Sequence, residues 1–500
     1  MVLLFLNKML QGATRFYGTL HGWGIFTALL ILSFLVRFPF FFRDYIDRDE
    51  STFILVAQSW VDGHLPYTQL WDLKPPITFL MFAIIIYLFG KSFIAIRLMG
   101  VILVAITAFF SYKIGMRLYN KKVGFLSAVA LVYLQSLFGS LQGVMSEHIC
   151  VAFFTIALYL LLFNKDKRFF FISGVLFGLA IMTKLNIAYA VLFLFFYLFL
   201  KSLKEKNAQK MIIKLFIIGM ALVLVIFATA IPYYLQGELQ LWWQSVFEAA
   251  MAYSTADEGS VIKVIPIVFF VMGLLLWAYK KKWLDYDSAQ IQLLFVTIVG
   301  VLFSYLQTGK ANGHYLIQLY PPLVILMGIM LSNLKLKKIK IKYPVIILLL
   351  LFPLESYLET YNVIQNKLSK NNFFNGEGID VPNYFKANNL PTDNILFLEY
   401  HIGYWLLDEK PLTKAATHPS SILRDELYPY MNHKRTNSAE ELTFLFEDIK
   451  PSYVITRKNR RIFDKAKYAA NLYTNLQLIR HYKPLDTIDN AIIYERLQLK

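Results

Sequence analysis

Long apolar runs alternate with short polar segments up to about residue 358, and after that the chain changes character. A helix needs ~20 apolar residues to cross a hydrocarbon core. Runs of that order recur at 22–42, 93–112, 123–141, 146–163, 169–183, 186–200, 211–235, 261–279, 288–306, 315–333 and 343–358. The pattern predicts a polytopic α-helical membrane domain over 1–362, with about eleven crossings and a first outer loop at 43–91. One more run, Pro75–Phe89, spans about fifteen residues and opens on Pro75-Pro76. Counting it as a crossing would put a basic cluster on the wrong side, so it reads as an interfacial or re-entrant helix of the outer loop. The runs on either side of Thr183-Lys184-Leu185-Asn186 are short. A break at that junction is of the kind tolerated where backbone lines a cavity.

Residues 363–500 have ordinary soluble composition. Ile395-Leu396-Phe397-Leu398, Tyr453-Val454-Ile455 and Ile492-Ile493-Tyr494 predict short buried strands. Ser438 with Glu441 predicts a capping box ahead of Leu442, Phe444, Leu445 and Ile449. A small C-terminal extracytoplasmic α/β domain is the expectation, with no phosphate loop, metal spacing or repeat, and so a binding or covering role.

Basic residues set the orientation. Lys8 and Arg15 precede the first run, which lacks a small-residue cleavage site and reads as a retained span rather than a signal peptide. Lys113/Arg117/Lys121/Lys122, Lys165/Lys167/Arg168, Lys201/Lys204/Lys206/Lys210, Lys280/Lys281/Lys282 and Lys335/Lys337/Lys338/Lys340/Lys342 mark cytoplasmic loops. The N-terminus is then cytoplasmic and the tail lies outside an inner (plasma) membrane. Acids gather on the outer side: Asp44, Asp47, Asp49, Glu50, Asp62 and Asp72 in the first loop, and Glu238, Glu248, Asp257 and Glu258 in a later one.

Composition agrees. A chain that is 57% hydrophobic and 17% charged is no soluble globule. The net charge of +17 sits largely in inter-span loops, where it signals topology rather than a nucleic-acid partner. A lone cysteine, Cys150, excludes an intrachain disulfide.

Four segments carry candidate chemistry. Ile46-Asp47-Arg48-Asp49-Glu50-Ser51-Thr52 places adjacent carboxylates near a membrane surface, where low dielectric and mutual repulsion raise their pKa and suit one to take a proton from a hydroxyl. The same acids would also serve as an acidic turn opening a helix. Tyr67-Thr68-Gln69-Leu70-Trp71-Asp72-Leu73-Lys74-Pro75-Pro76 sets Lys74 at a fixed turn at phosphate-headgroup depth, or simply as a snorkelling anchor. Met145-Ser146-Glu147-His148 offers an acid and a histidine as substrate-orienting groups or, together with Asp49, as ligands of a divalent cation, although too few to specify one. Lys310 and His314-Tyr315, in Gly309–Tyr315, suit an anionic headgroup or an ordinary hairpin turn, and Lys184 with Asn186 forms a comparable pair at the helix break.

The order of Asp49-Glu50, Gly63-His64-Leu65-Pro66-Tyr67, Trp71–Pro76, Phe89-Gly90 with Arg97-Leu98, Glu147, Thr183-Lys184 and His314-Tyr315 resembles the GT-C glycosyltransferases. The likeness is to bacterial relatives of the protein O-mannosyltransferases and of the lipid A aminoarabinose transferase, over roughly residues 20–330. The resemblance implies transfer of a sugar from a polyprenyl-phosphate donor to a glycolipid, polysaccharide or protein acceptor on the outer membrane face. It implies Asp49 as base or acceptor-orienting group with Glu50 beside it, and Lys74 at the carrier phosphate. Glu147 takes the position of a second acid, often Asp in the family. On these readings Lys184, Lys310, His314 and Tyr315 join Lys74 at the donor phosphate, and Tyr67, Asp72 and His148 position substrate. The rival reading is a polytopic lipid or solute transporter or flippase, which would be expected to show two related halves; the sequence shows no such internal symmetry.

Overall fold

The computed structural model describes residues 18–44, 46–256, 261–310, 312–333 and 352–497. Lys8, Arg15, Asp257, Glu258, the basic run at 335–342 and most of the expected crossing at 343–358 lie outside the described residues.

Seven described helices are long and apolar enough to cross a membrane: Gly22–Phe42, Phe93–Leu118, Ser146–Phe163, Leu185–Lys204, Ala208–Leu235, Val261–Lys280 and Ala289–Thr308. The expected runs at 123–141, 169–183 and 315–333 form shorter helices, Lys121–Leu134, Lys167–Ile181 and Tyr320–Asn333. Each is shortened by a neighbouring 3₁₀ turn: Gly139–Gln142, Leu185–Ile187 and Gly313–Gln318. Pro76–Phe89 is a 14-residue apolar helix, started by the proline pair and stopped at Gly90, whose φ of 67° suits glycine.

The chain divides into two compact units. One comprises Met1–Phe41, Arg97–Val225 and Gly259–Tyr361. Its core packs Phe154, Phe177, Leu194, Ile298 and Leu326 from successive helices. Gly115 and Gly124 meet backbone to backbone, so a side chain at either would part the helices that carry them. Arg37, 1% exposed at the end of the first helix, donates to the carbonyls of Gln135 and Leu141 at 2.9 Å and of Gly143 at 2.6 Å. Five N–H groups in a rigid fork allow one side chain to hold the whole turn.

The other unit comprises Phe42–Ile96, Ile226–Glu258 and Asn362–Lys500. Its sheet has four strands: β1 (Ile395–Phe397), β2 (Tyr453–Arg457), β3 (Tyr482–Ile488) and β4 (Ala491–Arg496), in the order β1-β2-β4-β3. β1 runs parallel to β2, and β4 pairs antiparallel with both β2 and β3. The expected strands appear, with β3 in addition; its exposed, polar residues leave no apolar pattern to read. The expected capping box is shifted by one position, since Asn437 is the cap and its side chain accepts from the Glu440 N–H at 2.9 Å, leaving Ser438 inside the first turn. The first loop is clasped to the tail. Asp44 N–H donates to the Asn375 carbonyl at 3.1 Å, Asn375 N–H to the Phe42 carbonyl at 3.0 Å, and the Asp44 carboxylate accepts from Gly378 N–H.

Candidate active site

One cluster lies in the unit built from the first loop and the tail. Asp47 caps the Arg48–Val61 helix by accepting from the Asp49 N–H at 2.9 Å. This puts Asp49 and Glu50 in the first turn, where the helix dipole favours negative charge. The Lys74 ammonium lies 3.2 Å from Asp49 Oδ2 and 5.4 Å from the centre of the Phe53 ring. Its backbone is fixed on both sides. Pro75 caps the Pro76–Phe89 helix, and the Tyr67 hydroxyl donates to the Lys74 carbonyl at 2.6 Å from a left-handed backbone with φ 73°. Tyr67 stacks on Tyr233 at 5.9 Å. Trp71 is buried, with its indole N–H on Ser245 Oγ at 3.0 Å. Asp72 is 2% exposed, and its buried Oδ2 makes no hydrogen bond.

The tail supplies groups that sequence reasoning missed. His418, 5% exposed, has Nε2 at 3.2 Å from Asp49 Oδ1, while its Nδ1 accepts from the Ser420 N–H at 3.2 Å. An Nδ1 that accepts must be bare, so the neutral ring carries its proton on Nε2 and donates it to Asp49. Burial holds His418 below the ordinary histidine pKa despite the Asp49 carboxylate, which keeps the ring neutral. Arg48 pairs with Glu399 and donates to Ser420 Oγ at 3.1 Å, and Thr52 Oγ1 is 3.0 Å from His401 Nε2. Burial first, and then the charge of Asp49, push Asp47 up to about 7; Glu50, itself 1% exposed, adds to the effect. No local pattern could have pointed to His418, which is 369 positions from Asp49.

A second cluster lies inside the other unit. Glu147, fully buried in the first turn of Ser146–Phe163, pairs with Lys184 and accepts from Ser146 Oγ at 3.1 Å. His314 Nε2 is 3.9 Å from the same carboxylate, and the Lys184 ammonium sits 4.0 Å from the centre of the Tyr315 ring. Tyr315 is held through its carbonyl, which accepts from the Tyr305 hydroxyl at 2.6 Å. Asn186 Oδ1 accepts from Gln318 Nε2 at 2.9 Å, tying the helix break to the 3₁₀ turn that carries His314. Lys310 is half-buried after the left-handed Gly309, four residues before His314. His148 is committed to backbone: its Nδ1 accepts from the Met145 N–H at 3.0 Å and its Nε2 lies 2.8 Å from the Gln135 carbonyl.

Of the expected residues, Asp49, Glu50, Lys74, Tyr67 and Asp72 thus share the cluster of the loop-and-tail unit, and Glu147, Lys184, His314 and Tyr315 share the cluster of the other unit. The donor set does not suit a divalent cation. Both nitrogens of His148 are taken, lysines hold the carboxylates of Asp49 and Glu147, and no group of three or more His, Cys, Asp or Glu among the described residues is placed to hold a metal ion.

Residues 73–233 match the dolichyl-phosphate-mannose-protein mannosyltransferase family. Among solved structures the chain is similar to ArnT from Cupriavidus metallidurans bound to undecaprenyl phosphate, at 13% identity and TM-score 0.58, covering 94% of this chain and 97% of that one. The Archaeoglobus fulgidus oligosaccharyltransferase in complex with zinc and sulfate is similar at 11% identity and TM-score 0.52, covering 94% of this chain and 73% of that one. No curated protein sequence matches the chain. With seven helices long and apolar enough to cross a membrane and a small C-terminal sheet, the chain shares the fold of ArnT and of the oligosaccharyltransferase, and its residues 73–233 match the mannosyltransferase family.

Proposed function

We propose that the chain moves a sugar from a polyprenyl-phosphate carrier to an acceptor hydroxyl on the extracytoplasmic face of the plasma membrane, by a single inverting displacement. The observation that carries this reading is the Asp49 carboxylate gripped by a lysine on one oxygen and a neutral histidine on the other. The matched family is described by its dolichyl-phosphate-mannose donor, and the similar ArnT holds undecaprenyl phosphate, which supports a lipid-phosphate donor here.

A sugar on a lipid phosphate already has a good leaving group. The reaction then needs a base for the acceptor and positive charge for the departing phosphate. Asp49 accepts the acceptor's proton as its oxygen attacks the anomeric carbon; the carbon–oxygen bond to phosphate breaks, and the electron pair leaves on phosphate. An ammonium has three donors, so Lys74 can serve that oxygen while still holding Asp49. Within the other unit Lys184 and His314 converge on Glu147, and with Tyr315 and Lys310 they form a second candidate anion site, which a phosphate would enter by competing with Glu147. The buried Asp72 oxygen suits a sugar hydroxyl.

The test is transfer from a radiolabelled polyprenyl-phosphate sugar by reconstituted protein. Asp49→Asn should lower the rate ~100- to 10,000-fold, the usual size of a general-base effect, with insertion unchanged. Wild-type turnover would remove Asp49 from the mechanism. Cysteine-accessibility labelling of the tail in intact cells checks the proposed orientation.

A further inference from the structure

Among the tail groups around the Asp49 turn, His418 meets the Asp49 carboxylate itself. Resting on the reading of Asp49 as base, we propose that His418 is a positioning residue for the transfer: it fixes the Asp49 carboxylate so that Oδ1 is occupied and Oδ2 faces the lysine and the reacting hydroxyl.

A carboxylate on a short side chain swings about its terminal torsion at small cost unless both oxygens are held. Lys74 does little to set the plane of the Asp49 carboxylate, because an ammonium is a point charge with no preferred plane. An imidazole N–H is directional, and the His418 ring is locked: Nδ1 accepts from the Ser420 N–H at 3.2 Å, the ring is 5% exposed, and Ser420 Oγ is held by Arg48 at 3.1 Å. Arg48 belongs to the same helix turn as Asp49 and pairs with Glu399 near the end of β1, so the turn carrying the base is tied both to the histidine's turn and to the end of β1. Next to them, Trp71 N–H meets Thr417 Oγ1 at 3.4 Å, which brings the segment just before Lys74 to the same tail turn. Nothing in this arrangement needs His418 to gain or lose a proton, and a neutral donor at that position serves throughout the reaction.

The substitutions His418→Phe and His418→Gln separate this role from simple packing. Phenylalanine keeps the ring volume and removes both hydrogen bonds, whereas glutamine keeps one acceptor and one donor. His418→Phe should lower kcat by roughly 10- to 100-fold, the loss that follows when a reacting group is misplaced by about an ångström. Its KM for the lipid donor should change far less, and the acid limb of the pH–rate profile should move to higher pH, because a carboxylate that loses a donor becomes more basic. His418→Gln should recover most of the lost rate. His418→Phe that resists trypsin like the wild type and keeps wild-type kcat and acid limb overturns the proposal. If His418→Phe does not accumulate, His418→Gln decides alone: most of the rate retained supports the role, and a loss as large as that expected for phenylalanine overturns it. Activity of Asp49→Asn at the wild-type level would instead sink the underlying reading, whatever His418 does.

Discussion

The Glu147–Lys184 pair permits a stability prediction that does not depend on the reaction. Glu147 is fully buried and the Lys184 side chain is 9% exposed, so each desolvated charge relies on the other. At an effective dielectric of ~20, opposite charges 4 Å apart attract by about 4 kcal/mol, and removing one member of a buried pair strands its partner at a cost of about 3–5 kcal/mol. Lys184→Met still leaves Ser146 Oγ at 3.1 Å and His314 Nε2 at 3.9 Å from the Glu147 carboxylate, polar neighbours that place the cost at the low end, near 3 kcal/mol. Glu147→Gln strands the ammonium against the Tyr315 ring at a similar cost. The double variant removes both charges and should lie within ~1–2 kcal/mol of wild type, a coupling of about 4–5 kcal/mol. Cys150 is fully buried three residues along the same helix and is the lone cysteine of the chain, so labelling by a thiol-reactive dye during heating in detergent reports the melting of this unit. Each single variant should melt roughly 10 °C lower and the double variant should recover most of that loss. Single costs that simply add in the double variant would refute the claim that each charge stabilises the other.

Lys74→Ala should reduce kcat/KM with the lipid donor by roughly 30-fold or more, equivalent to about 2 kcal/mol for truncating one partner of a buried charged hydrogen bond; an unchanged value would place Lys74 outside the reaction. Asp47 titrates upward, from 3.8 to about 7, so its protonated form is the one the fold prefers. Its contribution to stability is complete below about 3.8 and lost as pH rises through about 7. Asp47→Asn keeps a cap acceptor without the charge, so its advantage over wild type should grow between pH 4 and 7 and level off above that, at about 1–2 kcal/mol once solvent screening reduces a ceiling near 4; thermal melts across pH would show it, and a flat difference would contradict it. Gly376 has φ 113° and ψ 156°, a region essentially confined to glycine, with the Asp44 carboxylate where a Cβ would go. Gly376→Ala should cost about 1–3 kcal/mol and open the clasp between first loop and tail, visible as faster trypsin cleavage after Lys370; wild-type cleavage kinetics would count against the clasp.

Periodicity and charge alone determined the membrane class, the apolar helices, the break at Lys184 and the tail strands, because a bilayer requires long apolar runs and buried strands require apolar residues whatever lies around them. The proximity of Asp49 and Lys74 was also legible, as acids just after a first span and a lysine ahead of Pro75-Pro76. Helix lengths were less so: Lys121–Leu134 stops at a turn gathered by the buried Arg37, about a hundred positions away, and nothing in the local apolar pattern records that. Only tertiary structure decided that His148 serves the backbone, that Glu147 closes on Lys184 and His314, and that His418 grips Asp49. A histidine's role depends on what its two nitrogens meet, and those partners come from turns that folding alone brings together.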